Sequence, residues 1–197
     1  MLRDTKKPFT IAAIPAYNEK ASIAKIILDA AKYVDKVVVL DGGSTDYTSQ
    51  IAKKLGAITI RHKKNLGYGA TIRSCFEAAK KMNADVMVIL DGDGQHDPNE
   101  IPKLIEPLEK GEADIVIGSR FLSSTIKKMP LYRRFGIALI SFITNFITKN
   151  RLSDAQSGFR AYSRNMINGI TIFENGMGAS SEILINAMKR KLRIKEV

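Results

Sequence analysis

The stretch Val86-Met87-Val88-Ile89-Leu90-Asp91-Gly92-Asp93-Gly94-Gln95-His96-Asp97-Pro98 decides the fold. Five apolar residues in a row fit a strand covered on both faces, as in a parallel sheet. Two carboxylates one residue apart then leave the strand's C-terminal edge, where open α/β sheets bind their ligands. Asp91 and Asp93 flank Gly92, so the backbone can bend and both side chains can face one hard cation. Gln95 adds a neutral oxygen two residues on. Mg²⁺ or Mn²⁺, held by few protein oxygens and completed by water and a diphosphate, suits that donor set. An acidic surface turn with Asp97 as a helix cap would use the same residue types. The rest of the chain weighs between the two.

Upstream, Phe9–Ile14 reads as a first strand, stopped by Pro15-Ala16-Tyr17-Asn18-Glu19 because proline removes a ladder donor. A helix follows with Ile23, Ile27, Ala30, Ala31 and Val34 on one stripe. Lys36–Leu40 is a second strand that ends in another acidic turn, Asp41-Gly42-Gly43-Ser44-Thr45-Asp46. Asp46 or Ser44 can cap the next helix, which stops near Gly56. Ala57–Arg61 is a third strand. Asn65-Leu66-Gly67-Tyr68-Gly69 opens a helix that carries Arg73 and ends near Met82. Its two glycines lack the third glycine and the position after the first strand that a dinucleotide fingerprint needs. A close approach of this helix start to a ligand is the milder expectation.

Downstream, Asp97 is expected to cap a helix with Pro98 at its first position and Glu100 three residues on, a capping box ending near Gly111. Asp114–Gly118 is a further strand, followed by Ser119-Arg120. Strand and helix thus alternate four to five times, which argues a doubly wound, mostly parallel α/β sheet. From Ile126 the pattern changes. Lys127, Lys128, Arg133 and Arg134 precede the apolar run Phe135–Ile147, too short for the roughly 20 residues that span a bilayer. It reads as a core helix or as a helix lying in a membrane interface. Ser153–Ser163 is a loop into a strand. Ser180–Lys191 is an amphipathic helix with Ile183, Leu184, Ala187 and Met188 inward. Arg193–Val197 begins a strand that the chain leaves unfinished, which suggests C-terminal truncation.

With 197 residues, 45% hydrophobic and 26% charged, the chain is expected to form one domain. A single cysteine, Cys75, rules out a disulfide framework and fits a reducing compartment. It reads as a packed thiol, and Met82 and Met87 read as core filler. His62 and His96 stand in different turns without a third His or Cys, so they make no metal site. The net charge of +11 draws phosphates or anionic membranes. No nucleic-acid module or RNA-binding aromatic spacing is visible, so a nucleic-acid partner is not expected.

Six motifs stand in one order: Pro15–Glu19, Asp41–Asp46, Asn65 with Gly67 and Gly69, Asp91–His96, Gly118–Arg120, and Gln156-Ser157-Gly158-Phe159-Arg160. In this the chain resembles family 2 glycosyltransferases of the GT-A fold. Within them it is similar to the group that glycosylates dolichyl and other polyprenyl phosphates. The resemblance implies one GT-A domain over residues 1–197, a nucleotide-sugar half to about 118 and an acceptor half from about 119. It implies that Pro15, Tyr17, Glu19 and Asp41 hold base and ribose, with Gly69 close by. Asp91 would meet ribose and metal, and Asp93 and Gln95 would ligate the divalent cation. Arg120, Arg133 and Arg134 match positions that meet the donor diphosphate and the lipid phosphate, and Asp154 and Gln156 fall in the acceptor-side loop. Many members carry a second aspartate where Gly42 stands, so the base preference, uridine or guanosine, stays open.

An ionised lipid phosphate needs no general base, and positioning plus electrostatics would then carry the rate. A hydroxyl acceptor needs a carboxylate to take its proton; Asp154 is the first candidate and Glu182 the second. Inversion at the anomeric carbon follows from the resemblance alone. The expected enzyme is cytoplasmic and peripheral on the inner face of a membrane. A processive polymer synthase is disfavoured by the absence of tryptophan. A sugar nucleotidyltransferase is disfavoured because Pro15-Ala16-Tyr17 replaces a Gly-rich basic loop. A non-catalytic binding module is disfavoured by the intact Asp91, Asp93, Gln95 and Arg120.

Overall fold

In the computed structural model, which describes residues 7–121, 141, 145 and 152–197, the deciding stretch forms the middle of a seven-stranded sheet. In chain order the elements are β1 (Thr10–Ala16), α1 (Ile23–Ala30), β2 (Lys36–Asp41), α2 (Thr48–Lys54), β3 (Ile58–Arg61), α3 (Tyr68–Lys81) and β4 (Val86–Ile89). A 3₁₀ turn (Pro98–Glu100) then leads into α4 (Ile101–Glu109) and β5 (Ile115–Ile117). After them come β6 (Arg160–Ser163), α5 (Arg164–Gly169), α6 (Ala179–Lys189) and β7 (Ile194–Glu196). The strand order is β3-β2-β1-β4-β6-β5-β7. Only β6 runs against its neighbours; it pairs antiparallel with both β4 and β5.

The apolar runs are continuous because both faces of the sheet are covered. Alternate residues go to opposite layers. Ile11, Ala13, Val38, Leu40, Met87 and Ile89 pack with Ile72, Cys75, Phe76, Met166, Ile183 and Leu184 on the α3, α5 and α6 side. Ala12, Ile14, Val37, Val39, Val88 and Leu90 pack with Ile23, Ile27, Leu104 and Leu108 on the α1 and α4 side. Cys75 is fully buried, and burial raises its thiol above the ordinary pKa, as a packed thiol requires. Met87 is core, as read from the sequence. His62 ends in a hydrogen bond of 2.8 Å with the Ser74 hydroxyl.

Parallel register brings three turns to one edge. Thr10 pairs with Val86 and Ile11 with Lys36, so β1, β2 and β4 end side by side. Gly42 N–H then donates to Ala16 O (2.9 Å) and Gly92 N–H to Pro15 O (3.1 Å). Asp97 does cap, its carboxylate accepting the Asn99 N–H at 3.0 Å. The capping box is incomplete, however: the first turn is 3₁₀, and Glu100 faces Lys103 instead of reaching back. Neither candidate is the N-cap of α2, which is Tyr47; Asp46, one residue before it, accepts the Thr48 N–H at 2.9 Å. Ser44 instead accepts the Asn18 N–H. The stretch Lys127–Ile147 and the pair Arg133 and Arg134 lie outside the described residues, apart from Ser141 and Asn145. Among the described residues no helix is long and apolar enough to cross a membrane.

Asp41 holds its own turn. Its carboxylate accepts the N–H groups of Gly43 (3.1 Å) and Ser44 (2.7 Å) and the Ser49 hydroxyl, with the Arg61 guanidinium 3.4 Å away. Burial alone would raise its pKa; the bonds from Ser44 and Ser49 and the charge of Arg61 outweigh that and hold it below the ordinary value. A depressed folded pKa contributes stability that is fully present above the unfolded value of 3.8 and is lost as pH falls through the folded one. Asp41→Ala should therefore lower unfolding free energy at pH 7 by about 2–3 kcal/mol, with the deficit shrinking below about pH 4. Urea titrations of both proteins across pH 2.5–7 check this.

Candidate active site

The turn after β4 forms the floor of a cleft of about 430 Å³. Asp91, Gly92, Asp93, Gln95 and His96 line it from below. Gly92 is needed because a Cβ there would press on Ala16, Pro15 and Glu19 at 3.1–3.3 Å. Asp91 is held loosely, with the Tyr68 hydroxyl and the His96 Nε2 each 3.5 Å from its oxygens. Its lone pairs are thus available to a ligand. Asp93 is exposed and keeps the Gln95 N–H at 2.9 Å. His96 stacks on Phe159 with ring centroids 5.2 Å apart, which fixes its imidazole beside Asp91.

One wall comes from the ends of β1 and β2 and the start of α3: Pro15, Tyr17, Glu19, Gly42, Asn65, Tyr68 and Thr71. Glu19 is raised above its ordinary pKa, first by burial and then by the charges of Asp93, Asp46 and Asp91, against a hydrogen bond from Ser22. Burial does most of this, and the neighbouring carboxylates add a smaller share in the same direction. The donors present, two carboxylates and an amide oxygen, are hard oxygens and fit Mg²⁺ or Mn²⁺. Among the described residues no group of three or more His, Cys, Asp or Glu side chains could hold a metal by itself. Water and ligand oxygens would have to complete such a site.

The opposite wall comes from Arg120, Gln156, Gly158, Met177 and Ser180. Arg120 forms a two-pronged pair with Asp154, Nε to Oδ2 at 2.6 Å and the second nitrogen to Oδ1 at 2.8 Å. The pair pushes the guanidinium's pKa further up, so it stays charged. Glu196 of β7 supports this arrangement, accepting the N–H groups of Ser153 and Asp154 at 2.8 Å each. Gln95, His96 and Arg120 also line an adjoining cavity of about 450 Å³ between the floor turn and α4.

Several residues read from the sequence take other places. Asp154 is fully buried and committed to Arg120, so it positions that arginine and is not free as a base. Glu182 accepts the N–H groups of Phe173 and Glu174 at 2.9–3.2 Å and is likewise spoken for. Asp41 is buried within its turn and does not line the cleft. Gly69 approaches its own chain: a Cβ there would collide with the backbone of Glu174 and Asn175, and its N–H donates to Asn175 O at 2.8 Å. Arg133 and Arg134 lie outside the described residues.

Other cleft residues were not singled out by type. Tyr68 carried no more signal than any aromatic, yet its hydroxyl reaches toward Asp91, and burial raises its pKa well above the ordinary value. Gly158 abuts Asp91 so closely that a Cβ would collide with Oδ2. Met177 arrives from the loop before α6 and Ser180 from the first turn of α6, and the path of that loop is fixed by tertiary bonds. Arg73 donates to Ile172 O (2.7 Å), Phe173 O (3.1 Å) and Asn175 Oδ1 (2.7 Å).

The model of the family described as "Glycosyl transferase family 2" matches residues 11–171. The UDP-N-acetylglucosamine–dolichyl-phosphate N-acetylglucosaminyltransferase of Methanococcus voltae is 33% identical over 93% of this chain and 82% of its own length. The dolichyl-phosphate hexose transferase of Haloferax volcanii is 31% identical over 92% of this chain and 77% of its own. The fold is similar to that of the glucosyl-3-phosphoglycerate synthase of Mycobacterium tuberculosis, solved with Mn²⁺, UDP and glucosyl-3-phosphoglycerate. The TM-score is 0.76 at 22% identity, covering 97% of this chain and 70% of that one. A GT-A sheet, a paired-aspartate turn at the end of its middle strand and a match over most of the length agree: the chain is a glycosyltransferase and belongs to glycosyl transferase family 2.

Proposed function

We propose that the enzyme transfers a sugar, with inversion, from a UDP- or GDP-sugar to a polyprenyl or dolichyl phosphate at a membrane surface. The observation that carries this reading is that Asp91, Asp93 and Gln95 share one cleft with Arg120. Carboxylates that suit a divalent cation and a guanidinium that suits phosphate stand across a space fit for a nucleotide diphosphate. Relatives named for dolichyl-phosphate acceptors support the same class of acceptor.

Asp91, Asp93 and Gln95 would hold Mg²⁺ or Mn²⁺, which when bound neutralises diphosphate charge and so improves the leaving group. Pro15, Tyr17 and Glu19, on the wall facing Arg120, hold base and ribose. Arg120, fixed by Asp154, adds charge-assisted hydrogen bonds to phosphate oxygens. An acceptor that arrives ionised needs no proton removed, and both carboxylates considered as bases are committed to structural bonds. That favours phosphate over hydroxyl as the nucleophile. In this reading Arg133, Arg134 and Gln156 meet the acceptor phosphate, and the residue types of the basic, apolar stretch Lys127–Ile147 suit a membrane surface.

Calorimetric titration with UDP and GDP, each with and without Mn²⁺, tests the donor site. One nucleotide should bind, and much more weakly without metal; binding of neither would overturn the reading. Asp93→Ala should cut transfer to a polyprenyl phosphate at least about a hundredfold while leaving the thermal midpoint nearly unchanged, since its side chain is exposed. Gly158→Ala should displace the Asp91 carboxylate and weaken metal-dependent nucleotide binding about tenfold or more. Replacing Arg133 and Arg134 together by alanine should impair use of the lipid acceptor more than donor binding.

A further inference from the structure

Arg160, the first residue of β6, is 2% exposed and ranks among the largest fully buried side chains. Its guanidinium donates to three carbonyls: Ser157 O at 2.8 Å, Ala155 O at 2.7 Å and Ser180 O at 3.1 Å. Other buried ionic groups near the cleft have an opposite partner, Asp41 with Arg61 and Asp154 with Arg120. Among the described residues no carboxylate pairs with Arg160. Arg is the side chain whose fork of N–H groups can reach three separate carbonyls, and with no carboxylate beside it only the carbonyl dipoles offset its charge. Its positive field therefore extends beyond the groups it grips.

Its location gives that field a role. The carbonyls it grips belong to, or adjoin, residues that line the donor cleft: Gln156, Gly158 and Ser180. A void of about 10 Å³, room for one water at most, lies among Tyr68, Gly158, Ser180 and Arg160. Three of those four residues also face the cleft. On the cleft side of Gly158 stands Asp91. Arg160 lowers the phenol pKa of Tyr68 while Asp91 raises it, so all three lie within electrostatic reach of one another.

We infer that Arg160 is a positioning residue for the donor: from one layer beneath the cleft wall it supplies the positive potential that seats the nucleotide's diphosphate. The inference rests on the donor reading above. The guanidinium need not touch the ligand. In a low-dielectric wall, away from salt, a charge acts over more than contact distance and is screened little.

The test compares UDP or GDP, whichever the wild-type chain binds, with its own nucleoside, both titrated in EDTA so that no metal contributes. Arg160→Met should weaken the diphosphate nucleotide about tenfold or more and the nucleoside less than about twofold. Arg160→Lys should keep most of the wild-type preference. Parallel loss of both ligands in Arg160→Met would make Arg160 a mere brace, and no loss would make it idle; either overturns the inference while leaving the donor site standing. If Arg160→Met does not fold, salt dependence of the wild-type chain decides. The preference for diphosphate over nucleoside should change less than about threefold between 0.05 and 0.5 M NaCl. A steep loss, or no preference at either salt, overturns it. A wild-type chain that binds neither nucleotide even with Mn²⁺ overturns the donor reading and this inference together.

Discussion

The site depends on parallel register. Because β1, β2 and β4 run side by side in one direction, their C-terminal turns arrive at one edge of the sheet. Backbone bonds then lock each turn to the next: Gly42 to Ala16, Gly92 to Pro15, and His62 to Asp41 O at 2.9 Å. A one-residue slip would send every strand side chain to the opposite layer, and both layers are filled. The register is therefore fixed by the core, and the core thereby sets the spacing of the cleft's walls.

Much of this was legible in the chain. The seven strands, the helices that follow most of them and the acidic turn at the middle strand could all be read from apolar runs and turn residues. Gly56 and Gly111 stop their helices with φ of +79° and +65°, as residues free of a Cβ can. What could not be read is tertiary. The direction of β6 depends on the path of the chain between Arg120 and Gly158, and no local pattern encodes it. The roles of Asp41, Asp154 and Glu182 depended on which partners the fold would deliver. All three are carboxylates at turns or helix starts, and residue type alone cannot tell a ligand from a brace. Gly69 shows the same ambiguity in a glycine: room for close approach was correctly signalled, but the approaching group is the backbone of Glu174 and Asn175.

The insertion of β6 between β4 and β5 has a further consequence. Its Arg160 sits opposite Ile89 of β4 and Ile117 of β5, at the strand ends that lead into Asp91 and Arg120. The loop that enters β6 therefore passes between the two, carrying Asp154, Gln156 and Gly158. Asp154 fixes Arg120, Gly158 abuts Asp91, and Gln156 reaches Ser181 at the start of α6 at 3.0 Å. One short loop thus coordinates the acidic side, the basic side and the helix of the far wall. A parallel strand at this place would deliver its C-terminal loop to the edge, and its connection would lie elsewhere.

The allocation of charge follows from the same arrangement. Carboxylates that lie deep, Asp41 and Asp154, are tied to partners by several bonds each. Those that face the cleft, Asp91 and Asp93, keep loose or single bonds and remain open to ligands. A site built this way is prepared for charge neutralisation, and the two acceptor-side carboxylates, Asp154 and Glu182, are bound into structure. That division suits a reaction in which a nucleotide diphosphate leaves, where the protein's main task is to hold anionic groups close together against their repulsion.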